Sequence, residues 1–534
     1  MTRNSNLGKS RRRRRLLAVA TTCTLLTACG SQVPPSQFIA AQGGGGGGAA
    51  GNGGGGTGTG GSGRGGGAGT GGGGGGGTTS GGGGGGGTAL GGSTGGGGTG
   101  GGGAGTGGGG AGGRGSYGGG GGAGGGGGGG TGGGGSSGGG GSSGGGGGTS
   151  VAAGSCKGFQ NSKGITDSTI KIANIADTSG PVPGLFKSVQ DAMKAYVAYF
   201  NATSSICGRK LQLDPLDSQT SSSGDQQASS TACASDFAIV GSMGAFDDGG
   251  AQTVTQCGIP DLRTAVTESA RLKSPVVYAA QSLNVSYEPT EPADYYKQAF
   301  GSDVIQHAAF VYLDAGASSL NADSEIKAWT SRGFNFIYKA GVPVTEFNYT
   351  KYASDMQSKG VKYVQWVGAY QQAISLEKAM AQQNFHPQFV MDPVAYDPGF
   401  VQSGGSAVNG THIWINSNLF SDASRIPEMQ LYLSWLKRVA GNDAPTYFGI
   451  YAWGAGELFT QLALKLGGKL TRQSLLNALK GVDNYTGNGL FGPQHVGRKV
   501  TGSCYQFIVL KNGAWQKEGP GKLTCGSTVN TGAG

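Results

Sequence analysis

From Gly43 to Ser150, glycine fills 76 of 108 positions, and most of the others are Ser, Thr or Ala. Such a tract has almost no apolar side chains to offset the ~1–2 kcal/mol that ordering each backbone residue costs. It can only be a coil, so any fold must be built from the residues that follow it. As a flexible chain it spans roughly 50–60 Å root-mean-square, from ~5–6 Å times the square root of its length. Matches within it to phosphate-loop and nucleophile-elbow patterns, such as Gly91-Gly92-Ser93-Thr94-Gly95, lack a preceding strand and a following helix and are compositional.

Ahead of the tract, Lys9 and Arg11 to Arg15 form a basic cluster, and Leu16 to Ala28 a largely apolar stretch of 13 residues. That is too short to span a bilayer, and residues 1–28 read as an export signal. The four residues Leu26-Thr27-Ala28-Cys29 resemble the lipobox of bacterial lipoproteins. The resemblance implies that Cys29 is lipidated and anchors the chain to the cell membrane on its extracytoplasmic face, with 29–154 as a disordered tether. An ordinary secretory signal with an incidental Cys29 is the alternative.

Formal charge is +10, but seven basic residues lie in 1–28 and two more, Arg64 and Arg114, in the tract, while the first acid is Asp167. The rest of the chain therefore carries 30 basic against 29 acidic residues, which removes the argument for a nucleic-acid partner. Once Cys23 and Cys29 are set aside, six cysteines remain: Cys156, Cys207, Cys233, Cys257, Cys504 and Cys525. In an oxidising compartment they suggest up to three disulfides, with about 15 possible connectivities. Cys504 with Cys525 is expected, because Asn512-Gly513 between two apolar runs marks a hairpin. Zinc is the competing reading, but no pair has CxxC spacing and the chain has four histidines, so no metal or cofactor is expected.

Residues 155–534 alternate strand and helix patterns throughout. Strands are expected at Thr169–Ile175, around Leu211 and Leu213, and at Phe237–Val240, Ile259–Leu262 and Val276–Ala280. The helix after the first carries Val189, Met193, Tyr196, Val197 and Phe200 at helical spacing. The series then restarts: strands at His307–Tyr312, Phe334–Lys339, Tyr363–Val367, Gln388–Met391 and Thr411–Ile415, with helices at Ser318–Arg332, Tyr349–Lys359 and Gln371–Gln383. Helices at Pro427–Ala440 and Tyr447–Lys465 follow. The fold class is α/β, two Rossmann-like lobes joined by a hinge, with an interlobe cleft lined by loops at the carboxyl ends of strands. Lobe 1 is expected from 155–283 and 420–496, and lobe 2 from 284–419 and 497–534.

The opening TIKIANIADTSGPVPGLFKSVQDAMKAYVAYFNATSSICGRKLQLDPLDSQ resembles that of periplasmic binding proteins of the leucine/isoleucine/valine type. Val240-Gly241, Gly258-Ile259-Pro260, Gly368-Ala369-Tyr370 and Phe491-Gly492-Pro493 then fall in family order. The resemblance covers about 165–525 and implies a type I periplasmic binding protein, a monomeric substrate-binding lipoprotein that closes on a small polar solute and serves the permease and ATPase of an ABC importer.

The resemblance also implies a site. On lobe 1, Ser179, Gly180 and Pro181 would follow the first strand, with Leu185 or Phe186 at the place of a family tyrosine. Ser242, Met243, Gly244 and Ala245 would hold a ligand carboxylate through Ser242, backbone amides and a helix N-terminus, with Thr267 as a second hydroxyl. On lobe 2, Tyr370 would shelter the ligand, and Asp392 would meet an ammonium group. Where many members carry consecutive serines this chain has Gly244 and Ala245, which puts branched-chain amino acids in doubt and leaves amides, other amino acids and small carboxylates open.

Gly487-Asn488-Gly489-Leu490-Phe491-Gly492 matches GxGxxG, but Pro493 follows and no βαβ unit surrounds it, so it reads as a turn-rich loop. His307, His386, His412 and His495 have no motif partners, and the chain reads as a binding protein, not an enzyme. A sensor with the same fold and a glycine-rich wall element are the alternatives.

Overall fold

The computed structural model describes residues 153–441 and 444–533. The leader, Cys29 and the glycine tract lie outside the described residues. At the border, Gly154 N already donates to Leu464 O at 2.9 Å, so contact with the folded part begins inside the segment expected as tether.

The first sheet is built from β1 (Thr169–Ala176), β2 (Lys210–Asp217), β3 (Ala238–Val240), β4 (Asp261–Arg263) and β5 (Val277–Ala279). Its order is β2-β1-β3-β4-β5 and every pairing is parallel. Parallel strands covered on both faces read as continuous apolar runs, as Ala238–Val240 does. β4 starts at Asp261 and not at Ile259, since Pro260 has no N–H to give to the ladder. Helix α1 (Lys187–Thr203) buries Val189, Met193, Tyr196, Val197 and Phe200 as its periodicity predicts. Helices α2 (Ser222–Ser235), α3 (Ala251–Cys257) and α4 (Ser269–Lys273) complete the connections.

The chain then leaves through β6 (Tyr287–Pro289), α5 (Glu291–Phe300) and α6 (Ser302–Gln306) to a second sheet. That sheet holds β7 (Ala308–Leu313), β8 (Phe336–Val342), β9 (Tyr363–Val367), β10 (Gln388–Met391), β11 (His412–Ile415), β12 (Cys504–Lys511), β13 (Ala514–Glu518) and β14 (Thr524–Cys525). β7 to β11 pair in parallel, and β12 to β14 add an antiparallel end. A last strand, β15 (Thr528–Asn530), pairs antiparallel with β6. Helices α7 (Ala317–Ser331), α8 (Thr350–Ser358), α9 (Tyr370–Gln382) and α10 (Pro398–Gly404) belong to this half. Helices α11 (Pro427–Ala440), α12 (Tyr447–Leu466) and α13 (Arg472–Lys480) return to the first half, where α11 and α12 pack on α1. β8 runs three residues past the expected Lys339, because Ala340, Gly341 and Val342 find partners in β7 that their own pattern does not announce.

The six cysteines form Cys156–Cys207, Cys233–Cys257 and Cys504–Cys525. The third links residues directly opposite in β12 and β14. Asn512 and Gly513, at φ 53° and 75°, make the β12–β13 turn, where left-handed backbone suits these two residue types.

Three segments cross between the halves, after β5, after β11 and before β12, and they bond to one another. Ser282 N donates to Gln494 Oε1 at 2.9 Å, Gly502 N to Ser282 O at 3.2 Å and Gly492 N to Asn416 O at 2.8 Å. Asn416 Oδ1 also accepts the hydroxyls of Tyr447 and Tyr451, which ties the crossing to α12.

Candidate ligand-binding cleft

Between the two sheets lies a cavity of about 380 Å³. Its walls come from carboxyl ends of strands on both sides, the place where right-handed βαβ units leave their loops. From the first half come Pro181, Val182, Leu185 and Phe186 after β1, Thr220 after β2, Met243, Ala245 and Phe246 after β3, Val266 and Thr267 after β4, and Gln281 after β5. From the second come Leu313 and Ala315 at the end of β7, Val344 and Thr345 after β8, Val367–Ala369 at the end of β9, and Asp392–Val394 after β10. Trp414, Tyr447, Phe448 and Tyr505 line it near the crossings.

The two halves touch at the loops after β3 and β7. Ala317 N donates to Ala245 O at 3.1 Å. Gly316 adopts φ 52°, and a Cβ there would come within 2.6 Å of Ala245 O and 3.2 Å of the Phe246 ring. Only glycine allows the approach.

Of the residues expected at the site, Pro181, Phe186, Met243, Ala245, Thr267 and Asp392 line the cavity, while Ser179, Gly180, Ser242, Gly244 and Tyr370 do not. Ser179 Oγ donates to Asp217 Oδ2 at 2.5 Å, and Gly180 packs under Gln219 O. Ser242 is fully buried, its Oγ accepting from Ile175 N at 2.7 Å. Tyr370 begins α9 with its ring edge-on to Phe400 and its hydroxyl against Gly399, and it is the preceding Ala369 that lines the cavity.

Part of the expected carboxylate cradle is bonded within the protein. Met243 N donates to Ile175 O, and Ala245 N donates to Asp177 Oδ2 at 2.8 Å. Asp177 is fully buried and also accepts from Ser218 Oγ at 2.6 Å and Thr220 N at 3.1 Å. Burial pushes its pKa up, against these three donors. Thr267 Oγ1 donates to Gly244 O at 2.6 Å, and Thr267 N to Asp247 Oδ2. The nearby Arg263 and Arg271 are enclosed with Asp225, Asp247 and Asp261, and α3 is a helix of seven residues.

Two further acids join Asp392 in the lining: Glu288 on β6 and Glu325 on α7. Burial raises Asp392 and Glu288 to about 7 and Glu325 well above the ordinary glutamate range, with the charges of Glu288 and Asp392 adding to the shift of Glu325. Among the described residues, no lysine, arginine or histidine lines the cavity. Gln281 and Trp414 line the cavity, and their Oε1 and Nε1 are buried without a hydrogen-bond partner. A signal for Glu325 was present in the expected helix Ser318–Arg332, where it falls beside buried Ala322 and Ala328, but nothing local marks Glu288.

A periplasmic binding protein family model matches residues 169–514. No curated protein matches the chain. Among solved structures, the branched-chain amino acid transporter substrate-binding protein of Streptococcus pneumoniae, in complex with isoleucine, is 15% identical with a TM-score of 0.58, over 67% of this chain and 100% of that one. A fatty acid ABC transporter substrate-binding protein from Thermomonospora curvata is 17% identical with a TM-score of 0.59, over 70% and 95%. An ABC transporter solute-binding protein from R. palustris, in complex with 4-hydroxybenzoate, is 16% identical with a TM-score of 0.56, over 68% and 97%. At these identities the likeness shows the fold.

Proposed function

The chain belongs to the periplasmic binding protein family, and from that membership we propose that it captures a small solute between its two halves and delivers it to the permease of an ABC importer. The observation that carries the reading is the cavity of about 380 Å³ walled from the carboxyl ends of both sheets, with three crossing segments at its base. A volume of that order suits a metabolite and not a macromolecule. Solute contacts from both sides would favour the closed arrangement over an open one that the crossings permit. Cys29, acylated, would hold the protein on the extracytoplasmic face of the membrane, and the glycine tract would let the receptor reach out from it. The receptor would act as a monomer, with the importer's ATPase supplying the energy.

Small-angle scattering with and without a solute found by thermal-shift screening of metabolites tests this. A ligand that raises Tm and shrinks the radius of gyration is expected. A screen without hits, or a confirmed ligand with no compaction, would reject it.

A further inference from the structure

We infer that the solute is an apolar organic cation, an amine with a hydrocarbon or aromatic body and no carboxylate, whose ammonium group sits among Glu288, Glu325 and Asp392. The inference rests on the proposed receptor reading and names its substrate class. It departs from the amino-acid arrangement expected on the first half, and from the 4-hydroxybenzoate in one of the similar structures.

Three independent observations carry it. The first is charge: three carboxyls from β6, α7 and the loop after β10 line one cavity, and no described basic side chain lines it with them. Carboxyls taken out of water without a counter-charge are costly, and a bound cation supplies the missing charge. The second is Gln281, 4% exposed. Its Nε2 donates to the Tyr447 hydroxyl at 2.7 Å, and that hydroxyl's own proton goes to Asn416 Oδ1, which fixes the amide's orientation. Gln281 Oε1 is thus a buried acceptor without a donor, on a residue that lines the same cavity. An ammonium group has three N–H donors to offer.

The third observation concerns the opposite wall. A ligand carboxylate needs free donors, and Ala245 N in the loop after β3, with Thr220 N and Ser218 Oγ in the loop after β2, already serve Asp177. Asp177 is an internal carboxylate that takes up Ala245 N, one of the amides expected to receive a ligand's. Most of the remaining lining on that side, including Val182, Leu185, Phe186, Met243 and Phe246, is apolar and suits a hydrocarbon body. Trp414, also in the lining, carries a buried Nε1 donor without a partner.

Titration calorimetry of the purified full-length protein with three matched sets tests the inference: phenethylamine and tryptamine, the neutral 2-phenylethanol and tryptophol, and the anionic 3-phenylpropionate and indole-3-propionate. The amines should bind at least tenfold more tightly than their neutral or anionic counterparts. Asp392→Asn and Glu325→Gln, each with a melting curve to show folding, should each weaken amine binding about tenfold or more. Equal or tighter binding of an acid or alcohol overturns the inference while leaving the receptor reading intact. Amine binding unchanged in both variants also overturns it. If no set binds and the metabolite screen is silent as well, both fail together.

Discussion

Asp177 shows how one residue redirects a loop. Its carboxylate is fully buried and satisfies three donors, one of them the Ala245 amide, which the sequence places among those expected to hold a ligand. Removing it in Asp177→Ala leaves those donors buried without an acceptor, at about 1–3 kcal/mol each. Tm should fall by several degrees in a melting experiment, and formate, small enough to replace the lost group, should restore part of the loss. An unchanged Tm would mean that the donors find other acceptors. Tyr370 gives the complementary lesson. Its place at the end of a strand was legible, but Gly368 at φ 136° turns the chain so that Ala369 faces the cavity and Tyr370 opens the helix.

At the scale of elements, the contact between the loop after β3 and the start of α7 decides how closely the halves meet. Gly316→Val would drive a side chain into Ala245 O and the Phe246 ring, in a backbone region that β-branched residues avoid. The variant should fold, since its clash lies between the halves, but scattering should show a larger radius of gyration than the parent under the same saturating ligand. Equal compaction would show that the halves close by another contact. Most elements could be read from the sequence because apolar periodicity is local, as in α1 and in β7 to β11. β6 and β15 could not, since each is three residues long and each is a strand only because the other pairs with it from about 240 positions away.

The molecule as a whole buries an unusual set of acids. Burial holds Glu377 and Glu457 at about 8, Glu288 and Asp392 at about 7, and raises Glu325 further. Each binds its proton more tightly folded than unfolded, so between about pH 4 and these values the folded state holds more protons, and stability falls as pH rises. Tm of the ligand-free protein should therefore be higher at pH 5 than at pH 8. Below about pH 4 the trend reverses through Asp217, held at about 2 against its partial burial by Ser179 and two backbone amides. Lys499, lowered by burial to about 8, acts only above this window. A Tm that rises steadily from pH 5 to 8 would contradict the account. The sequence by itself determined where folding can begin, the α/β alternation and the hairpin that returns Cys525 to Cys504, because composition, periodicity and turn chemistry act over neighbouring residues. Which polar groups are consumed internally and which face the cleft was decided by the tertiary structure alone. Desolvation and pairing join residues such as Asp177 with Ala245 and Glu325 with Asp392, whose proximity exists only once the chain has folded.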